Sequence, residues 1–280
     1  MKLSVITINF NNRDGLRKTI ESVVNQTFKD FEYIIIDGGS TDGSVEVIKE
    51  YADRIDYWVS EPDKGIYNAM NKGIDVAKGE YCNFMNSGDV FVNNNILLEI
   101  EDLLIDVGIV YGRAVYSDGR MALERQSDIP DLIHFFSNTI SHQASFISAK
   151  MLKRYHYDER LRIVSDWKFF VQAFVLEQCS YRNVDKIINV QESVGASLCL
   201  DLIKEERTVV LNELFPDYIV KACDKLIYGD TWEEKLYIGI RQSKLSSIMY
   251  TINVLILRFI SLFSRQRNWV DDFPFNKNKK

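Results

Sequence analysis

The stretch Gly79–Phe91, GEYCNFMNSGDVF, decides how this chain folds. Its apolar residues surround Cys82 and stop in a polar turn, Asn86–Asp89, which is typical of a buried strand that surfaces at its C-terminal end. In open α/β sheets, ligands bind beyond the carboxyl ends of the strands. The pattern therefore predicts Asp89 at the mouth of a crevice, where a carboxylate suits a divalent metal that carries a diphosphate. An ordinary Asx turn without a ligand is the alternative.

Strands alternate with helices on the N-terminal side of this stretch. Apolar runs predict strands at Leu3–Ile8, Tyr33–Ile36 and Ile55–Val59, and helical spacing predicts helices at Asp14–Gln26 and Ile66–Ala77. Short loops between such elements predict an α/β, Rossmann-like fold with a mostly parallel sheet.

The order becomes less regular after Asp89. The pattern predicts a helix at Ile96–Leu104, a hairpin of Gly108–Tyr116 with Arg120–Arg125, a helix within Leu161–Ala173 and a last strand at Ile187–Gln191. A helical region follows from about Ser197. We therefore predict one α/β domain over residues 1–195 and a helical extension over residues 196–280.

The composition is that of a soluble globular protein, with 46% hydrophobic and 26% charged residues among 280. The four cysteines are far apart and form no C-x-x-C pair, which favours reduced thiols and a cytoplasmic location. We expect no secretory signal and no membrane-spanning segment. Residues 241–280 carry 8 Lys or Arg against 2 Asp or Glu, whereas the rest carries 26 against 38. The acidic body argues against nucleic-acid binding.

Three predicted strands end in acidic turns that contain glycine: Asp37–Gly39, Asp63–Gly65 and Gly88–Asp89. Because parallel strands end on the same side, we expect these carboxylates to share one edge of the sheet. The chain has no G-x-G-x-x-G after its first strand and no P-loop motif. Dinucleotide binding of the Rossmann type and phosphate binding by a P-loop are therefore both disfavoured. A nucleotide can still bind through its base. We expect Asp37 to accept a hydrogen bond from an imide N–H, which uracil and thymine have, and Phe10 to stack on that base.

Four runs together resemble the nucleotide-sugar-binding half of the inverting family 2 glycosyltransferases. They are SVITINFNN (4–12), QTFKDFEYIIIDGGSTDGS (26–44), EPDKGIYNAMNKGIDVAKGEY (61–81) and NSGD (86–89). The resemblance continues more thinly through His142-Gln143 and Ser165–Trp167 to about Gln191. More narrowly, the chain is similar to bacterial enzymes that build surface polysaccharides.

The resemblance implies a glycosyltransferase A fold, with a donor half at residues 1–91 and an acceptor half at residues 92–195. It also implies a nucleotide-diphosphate sugar as donor, with a UDP-sugar preferred, and Mn²⁺ or Mg²⁺ as cofactor. The acceptor it implies is a hydroxyl of a glycan or of a polyprenyl-linked saccharide.

Position by position, the resemblance implies roles for individual residues. Asp37 matches the base-binding aspartate, Asp89 the last carboxylate of the metal-binding motif, and Asp166 the general base. Asp63 and Lys64 match a loop that lies along the nucleotide. The complete predicted nucleotide-sugar-binding set is Thr7, Phe10, Asn11, Asp37, Asp63, Lys64, Ser87 and Gly88.

The chain departs from the family at the metal motif. The family often has a second acidic residue beside the last one, and here Ser87 or Gly88 stands there. Asp89 is therefore the one carboxylate ligand that the motif supplies. His142 is expected either to complete the metal shell or contact the diphosphate, or to be a hydrogen-bonded structural histidine. Asn71 is expected to hold the Asp63 loop.

Inverting transfer needs a base on the acceptor hydroxyl and a cation beside the leaving diphosphate. Asp166 lies at the start of a predicted helix among aromatic residues, so partial burial is expected to raise its pKa. A helix N-cap is the alternative for this residue. For the whole chain, the alternatives are a sugar-nucleotide-binding module without turnover and, less favoured, a nucleotidyltransferase.

Residues 246–264 form a predicted amphipathic helix with one broad apolar face, and Arg265, Arg267 and Trp269 follow it. This pattern is typical of a helix that lies in a membrane interface. Packing on its own domain or on a second copy in a homodimer remains equally open. On the first interpretation, the protein is peripheral at the inner face of the cytoplasmic membrane.

Overall fold

The computed structural model describes residues 1–122, 130–192 and 199–228. The strands are β1 (Leu3–Asn9), β2 (Phe31–Asp37), β3 (Tyr57–Ser60), β4 (Tyr81–Phe84), β5 (Val90–Phe91), β6 (Ile109–Tyr116), β7 (Ser145–Ser148) and β8 (Tyr181–Gln191). The α-helices are α1 (Arg13–Val24), α2 (Ser44–Glu50), α3 (Ile66–Val76), α4 (Ile96–Ile100), α5 (Leu132–Ser137), α6 (Ala149–Tyr155), α7 (Ser165–Phe170), α8 (Leu200–Leu214) and α9 (Asp217–Tyr228). The eight strands form one sheet in the order β3-β2-β1-β4-β7-β6-β8-β5.

The four N-terminal strands confirm the predicted parallel sheet. Strand β1 lies at their centre, pairs in parallel with β2 and β4, and has all seven residues buried. A strand covered on both faces reads as a nearly continuous apolar run, as β1 does. Gly79 permits the close approach of β4, because a Cβ on this residue would lie 2.5 Å from the backbone nitrogen of Ser4.

Helix α1 begins at the carboxyl edge of this sheet. The Asn12 side chain caps it by accepting a hydrogen bond from the Gly15 N–H at 3.1 Å. The same side chain donates to the Ser87 carbonyl at 3.0 Å. One residue therefore fixes both the start of the helix and the turn that follows β4, while Leu16 and Ile20 bury the opposite face of the helix.

The second half of the sheet is mixed. Strand β7 pairs antiparallel with both β4 and β6, and β8 pairs parallel with β6. The predicted return strand at Arg120–Arg125 appears only as an isolated bridge between Val115 and Met121, and residues 123–125 lie outside the described part. The predicted helix Ile96–Leu104 is divided into α4 and a 3₁₀ turn at Glu101–Leu103.

The chain divides into two compact units, Met1–Phe215 and Pro216–Lys280. The first contains the whole sheet and helix α8, which the sequence assigned to the extension. The predicted boundary at residue 195 stays a prediction. Of the second unit, the structure describes α9 and the residue before it, so the predicted amphipathic segment 246–264 lies outside the described residues. Over the ranges that are described, no helix is both long and apolar enough to span a bilayer.

Candidate active site

The acidic turns begin along one edge of the sheet. The register pairs Asn9 with Asp37, and Asp37 with Ser60, at the carboxyl ends of β1, β2 and β3. After β4, the Ser87 N–H donates to the Ile8 carbonyl of β1 at 3.1 Å. The turns that contain Asp37, Asp63 and Asp89 therefore leave the sheet on the side where open α/β folds bind ligands.

Asp37 is entirely buried and accepts five hydrogen bonds. Its Oδ1 accepts from the Asn9 amide at 2.7 Å and from the Ser40 hydroxyl at 2.6 Å. Its Oδ2 accepts from the backbone N–H groups of Gly39 and Ser40 and from the Ser60 hydroxyl. Burial opposes ionisation, but the hydrogen bonds from Ser40, Ser60 and Asn9 outweigh it and hold the pKa of Asp37 below its usual value.

Phe10 and Asp63 meet beside Gly38. The Phe10 ring is 65% exposed, which is unusual for phenylalanine and suits a surface on which a flat group can stack. A Cβ on Gly38 would lie 3.2 Å from the Phe10 ring and 2.5 Å from Oδ2 of Asp63. The carboxylate of Asp63 therefore occupies the space that a side chain at position 38 would fill.

Asp89 is 7% exposed and has weak hydrogen-bond partners. The Gln143 amide donates to its Oδ2 at 3.2 Å, and the Glu192 N–H donates to its Oδ1 at 3.3 Å. Burial dominates and raises the pKa of Asp89 to about 6, against the opposing effect of these two donors. A buried carboxylate with this little compensation is suited to a cation.

Glu192 is a candidate that the sequence analysis missed. It follows β8, and its side chain lies against Gly88, whose Cβ would be 3.0 Å from Oε2 of Glu192. It also forms a long ion pair with Lys18 at 3.5 Å. Gly88 has a φ of +103°, which favours glycine and leaves this space open. No local sequence signal marks Glu192, because it is 103 residues from Asp89.

The dipeptide His142-Gln143 links two of the predicted residues. While Gln143 donates to Asp89, the Nδ1 atom of His142 lies 2.9 Å from Oδ2 of Asp166. The other ring nitrogen of His142 lies 3.2 Å from the Asn86 amide nitrogen. Both ring nitrogens thus have partners, which favours the hydrogen-bonded interpretation of His142; its role as a metal ligand stays a prediction.

Asp166 is held between His142 and Tyr67. The Tyr67 hydroxyl donates to its Oδ1 at 2.9 Å, and the Asp166 side chain is 17% exposed. Burial on its own raises the pKa, but the hydrogen bond and charge of His142, with the hydrogen bond from Tyr67, lower the pKa of Asp166 below its usual value. The expectation of a raised pKa is therefore wrong. The N-cap of α7 is Val164, so Asp166 does not cap this helix.

Helix α8 supports the segment that carries Asp166. The buried Glu206 carboxylate accepts hydrogen bonds from the consecutive N–H groups of residues 162, 163 and 164, at 2.7, 3.0 and 3.2 Å. The buried Lys168 of α7 donates to Asp158 and to Glu213 of α8. No local sequence pattern predicts the anchors to α8, because Glu206 and Glu213 are 42 residues or more from their partners.

Four other predicted residues have different surroundings. Thr7 is completely buried, donates to the Met85 carbonyl at 2.8 Å and contacts the Tyr33 hydroxyl, so its side chain does not reach the crevice. The Asn11 side chain accepts from the Thr41 N–H. Ser87 accepts from Asn12 through its carbonyl, and Lys64 is exposed.

The predicted role of Asn71 is wrong. Its side chain donates to the Tyr157 carbonyl and to Glu159, and accepts from the Tyr157 N–H. It therefore holds the segment before α7. Asn68 contacts the Asp63 loop instead, because its Oδ1 accepts from the Lys64 N–H at 3.2 Å.

The candidate metal ligands are few. Among residues 1–122, 130–192 and 199–228, no group of three or more His, Cys, Asp or Glu side chains forms a complete cation site. Asp89 and the neighbouring Glu192 supply carboxylate oxygens, the donor type that Mg²⁺ and Mn²⁺ prefer. One or two carboxylates are sufficient where substrate phosphates complete the coordination. The residues present therefore fit a divalent cation that arrives with a diphosphate.

Solved structures share this fold. The structure of Staphylococcus aureus TarS 1–349 in complex with UDP-GlcNAc superposes with a TM-score of 0.62 at 15% identity, covering 85% of this chain and 78% of that chain. The mannosyltransferase PcManGT from Pyrobaculum calidifontis, in complex with GDP-Man and Mn²⁺, gives 0.60 at 14% identity, covering 96% and 83%. The chain spans 45% of a longer TarS structure. These likenesses confirm the glycosyltransferase A fold.

Sequence comparison identifies relatives. An uncharacterized glycosyltransferase of Mycobacterium tuberculosis is 35% identical over 178 residues, covering 61% of this chain and 68% of the relative. A PGL/p-HBAD biosynthesis glycosyltransferase of Mycobacterium bovis is 27% identical over the same length, covering 61% and 69%. The model of the family "Glycosyl transferase family 2" matches residues 4–166, which is more than half of the chain. This chain therefore belongs to glycosyl transferase family 2.

Proposed function

We propose that the protein transfers a sugar, with inversion, from a nucleotide-diphosphate donor to a hydroxyl of a glycan or lipid-linked acceptor. The observation that carries this proposal is the His142-Gln143 dipeptide, which contacts Asp166 with one residue and Asp89 with the next. Inverting transfer needs a base and a diphosphate site at a fixed separation, and two adjacent residues provide that separation. Structures of similar fold are complexes with UDP-GlcNAc, and with UDP-Glc or GDP-Man together with Mn²⁺, which supports the donor class and the cation.

In the proposed reaction, the acceptor hydroxyl gives its proton to Asp166 while its oxygen forms a bond to the anomeric carbon of the sugar. The bond between that carbon and the diphosphate oxygen breaks, and the diphosphate leaves with the electron pair. Because Asp166 remains ionised at neutral pH, it can accept the proton in every turnover. His142 and Tyr67 hold its two oxygens, so they orient the carboxylate before the acceptor binds.

The leaving diphosphate develops negative charge. A divalent cation held by Asp89 and Glu192 would offset that charge. The chain itself contributes the burial of Asp89, whose carboxylate gains a partner when the cation binds. Glu192 compensates for the missing second acidic residue of the motif, because its carboxylate lies beside Gly88.

Transfer and binding without turnover can be separated with Asp166→Asn. We expect this variant to keep its affinity for UDP and Mn²⁺ and to lose transfer or donor hydrolysis by at least two orders of magnitude. The matched control is Asp75→Asn, because Asp75 forms an exposed pair with His156 at 2.8 Å outside the site. Full activity of Asp166→Asn would refute the role of Asp166 as the general base. Absence of turnover in the wild-type chain, despite tight donor binding, would favour the binding module.

We further propose that the enzyme acts in surface-polysaccharide synthesis at the inner face of the cytoplasmic membrane, where its C-terminal segment contacts the bilayer. The basic, apolar sequence of residues 246–269 supports this location. Co-sedimentation of the full chain with anionic liposomes, compared with a truncation before Ser246, tests it. Equal pelleting of both proteins would refute the membrane role, and a change in oligomeric state on truncation would favour a dimer contact.

A further inference from the structure

We propose that Glu206 of helix α8 is a positioning residue for Asp166, and that it acts through one peptide group and the Tyr67 hydroxyl. The inference rests on the proposed function, because it requires Asp166 to be the base. It goes beyond that function by giving α8 a part in the reaction, although this helix follows residue 166, where the family match ends. Three hydrogen bonds that connect Glu206 to Asp166 carry the inference.

The peptide group between Ile163 and Val164 connects the buried Glu206 with Tyr67. The Oε2 atom of Glu206 accepts a hydrogen bond from the Val164 N–H at 3.2 Å. The carbonyl of the same peptide group, on Ile163, accepts from the Tyr67 hydroxyl at 2.5 Å. Because a planar trans peptide directs its N–H and its carbonyl to opposite sides, the two hydrogen bonds lie in series. A carboxylate at the N–H polarises this group and makes its carbonyl a stronger acceptor.

Tyr67 is buried and has one proton for two acceptors. Burial, together with the charge of Asp166, raises the pKa of Tyr67 well above its usual value, so the hydroxyl keeps this proton. The hydroxyl oxygen lies 2.5 Å from the Ile163 carbonyl oxygen and 2.9 Å from Oδ1 of Asp166. The usual distance is about 2.7–2.8 Å, so the contact with the carbonyl is the stronger of the two.

The position of the Tyr67 proton determines how readily Asp166 accepts another proton. His142 contacts Oδ2 of Asp166 at 2.9 Å, and Tyr67 contacts Oδ1. A full hydrogen bond from Tyr67 would stabilise the ionised carboxylate and weaken it as a base. Glu206 opposes this effect, because it draws the Tyr67 proton towards the Ile163 carbonyl. Glu206 therefore keeps Oδ1 able to take the proton of the acceptor hydroxyl, without touching Asp166 itself.

The test is a double-mutant cycle of Glu206→Gln and Tyr67→Phe in the full-length protein. The assay is hydrolysis, with Mn²⁺, of whichever of UDP-GlcNAc, UDP-Glc and GDP-Man is turned over fastest. Glu206→Gln removes the charge, so Tyr67 bonds more strongly to Asp166, and we expect kcat to fall about tenfold at an unchanged donor KM. Tyr67→Phe removes one orienting hydrogen bond and should lower kcat about threefold. In the double variant, kcat should return to the level of Tyr67→Phe, because Glu206 has no hydroxyl to act through.

The matched control is Glu213→Gln, on the same helix. Glu213 anchors α8 to α7 through the side chain of Lys168, at 3.1 Å, so its effect on kcat should add to that of Tyr67→Phe. A purely structural role of Glu206 predicts the same additivity. Restoration of kcat by Tyr67→Phe in the Glu206 variant, and not in the Glu213 variant, therefore distinguishes positioning of the base from support of the fold.

Glu206→Asp is the second variant, to be used if Glu206→Gln does not fold. It keeps the charge but withdraws it by one methylene group, and the loss of kcat should again be reversed by Tyr67→Phe. If the losses from the Glu206 and Tyr67 variants add, the inference is overturned, and the proposed function stands. If the folded wild-type chain turns over none of the three donors, the proposed function itself fails.

Discussion

The turns that contain Asp37 and Asp89 look alike in sequence and differ in structure. Each follows a strand of the parallel sheet, contains an aspartate beside a glycine, and lies at the same edge. Asp37 is fully buried with five hydrogen bonds, and its pKa is lowered. Asp89 is nearly as buried but has two long hydrogen bonds, and its pKa is raised to about 6.

The two carboxylates are similarly buried, so their pKa values differ because Asp37 accepts more and shorter hydrogen bonds than Asp89. Asp37 organises the end of the sheet, because its carboxylate oxygens at the end of β2 accept hydrogen bonds from Asn9 of β1 and from Ser60 of β3. Asp89 has more charge than its surroundings compensate, which is a typical state for a group that awaits a ligand. In both turns a carboxylate from elsewhere fills the space beside the glycine, Asp63 at Gly38 and Glu192 at Gly88.

The largest effect should follow from removing the Asp89 carboxylate. Asp89→Ala is expected to lower transfer activity by about 10²–10³-fold, because stabilisation of the leaving diphosphate by several kcal/mol is lost. Mn²⁺ binding, followed by electron paramagnetic resonance of the free ion, should fall in parallel. An unchanged manganese titration would refute Asp89 as a metal ligand. The turn that contains Asp89 would then be no more a metal site than the turn that contains Asp37.

Asp37→Ala should instead act on stability. It leaves several buried donors without an acceptor, and each costs about 1–3 kcal/mol, so we expect the free energy of unfolding to fall by about 3 kcal/mol or more. Urea denaturation measures this loss. The control is Asp75→Ala, at an exposed carboxylate with a single partner, where the change should be within about 0.5 kcal/mol. A stable Asp37→Ala protein that has lost UDP binding would show that Asp37 serves the nucleotide site and not stability.

The sequence was sufficient for the parts of the fold that depend on local pattern. The apolar strands β1 and β2, the helix α1 between them and the parallel order follow from periodicity and short loops. The mixed half was harder, because β7 lies between β4 and β6, although β7 follows them both along the chain. Sheet order of this kind depends on long-range packing that leaves no local signal.

The candidate site divides in the same way. Motifs indicated Asp63 and Asp89, whose turns are short and contain glycine, and Asp166, which precedes Trp167 at the start of α7. Glu192 and Glu206 could not be predicted, because each acts on residues more than 40 positions away. The predicted rise in the pKa of Asp166 was wrong for a related reason. Its aromatic neighbours in the sequence indicate burial, but they do not indicate the hydrogen bond with His142 that lowers the pKa.

The raised pKa of Asp89 predicts how stability depends on pH in metal-free protein. The folded state holds the Asp89 proton more tightly than the unfolded chain does, since the pKa rises from 3.8 to about 6. The free energy of unfolding therefore falls as pH rises through this window and then levels off. Asp89→Asn, which stays neutral, should be more stable than wild type by about 3 kcal/mol at pH 7.5 and nearly equal to it near pH 4, since each pKa unit corresponds to about 1.4 kcal/mol.

Chemical denaturation in the presence of EDTA at both pH values measures this difference. Added Mn²⁺ and UDP should reverse the order at pH 7.5, because ligands stabilise only the protein that binds them. Equal stability of the two proteins at pH 7.5 without metal would show that the hydrogen bonds of Asp89 compensate its burial as fully as those of Asp37.

The smallest effect should come from Glu192→Gln. If the carboxylate beside Gly88 supplies the second acidic contact, this variant should weaken Mn²⁺ binding about three- to tenfold, because an amide oxygen is a poorer ligand than a carboxylate for a hard cation. The control is Glu80→Gln, at an exposed glutamate that pairs with Lys2 as Glu192 pairs with Lys18. A Gly88→Asp substitution would restore the acidic pair of the motif locally, though at a positive φ. If Glu192→Gln binds Mn²⁺ as wild type does, Asp89 serves the cation alone, and the glycine beside it reflects the turn and not a displaced ligand.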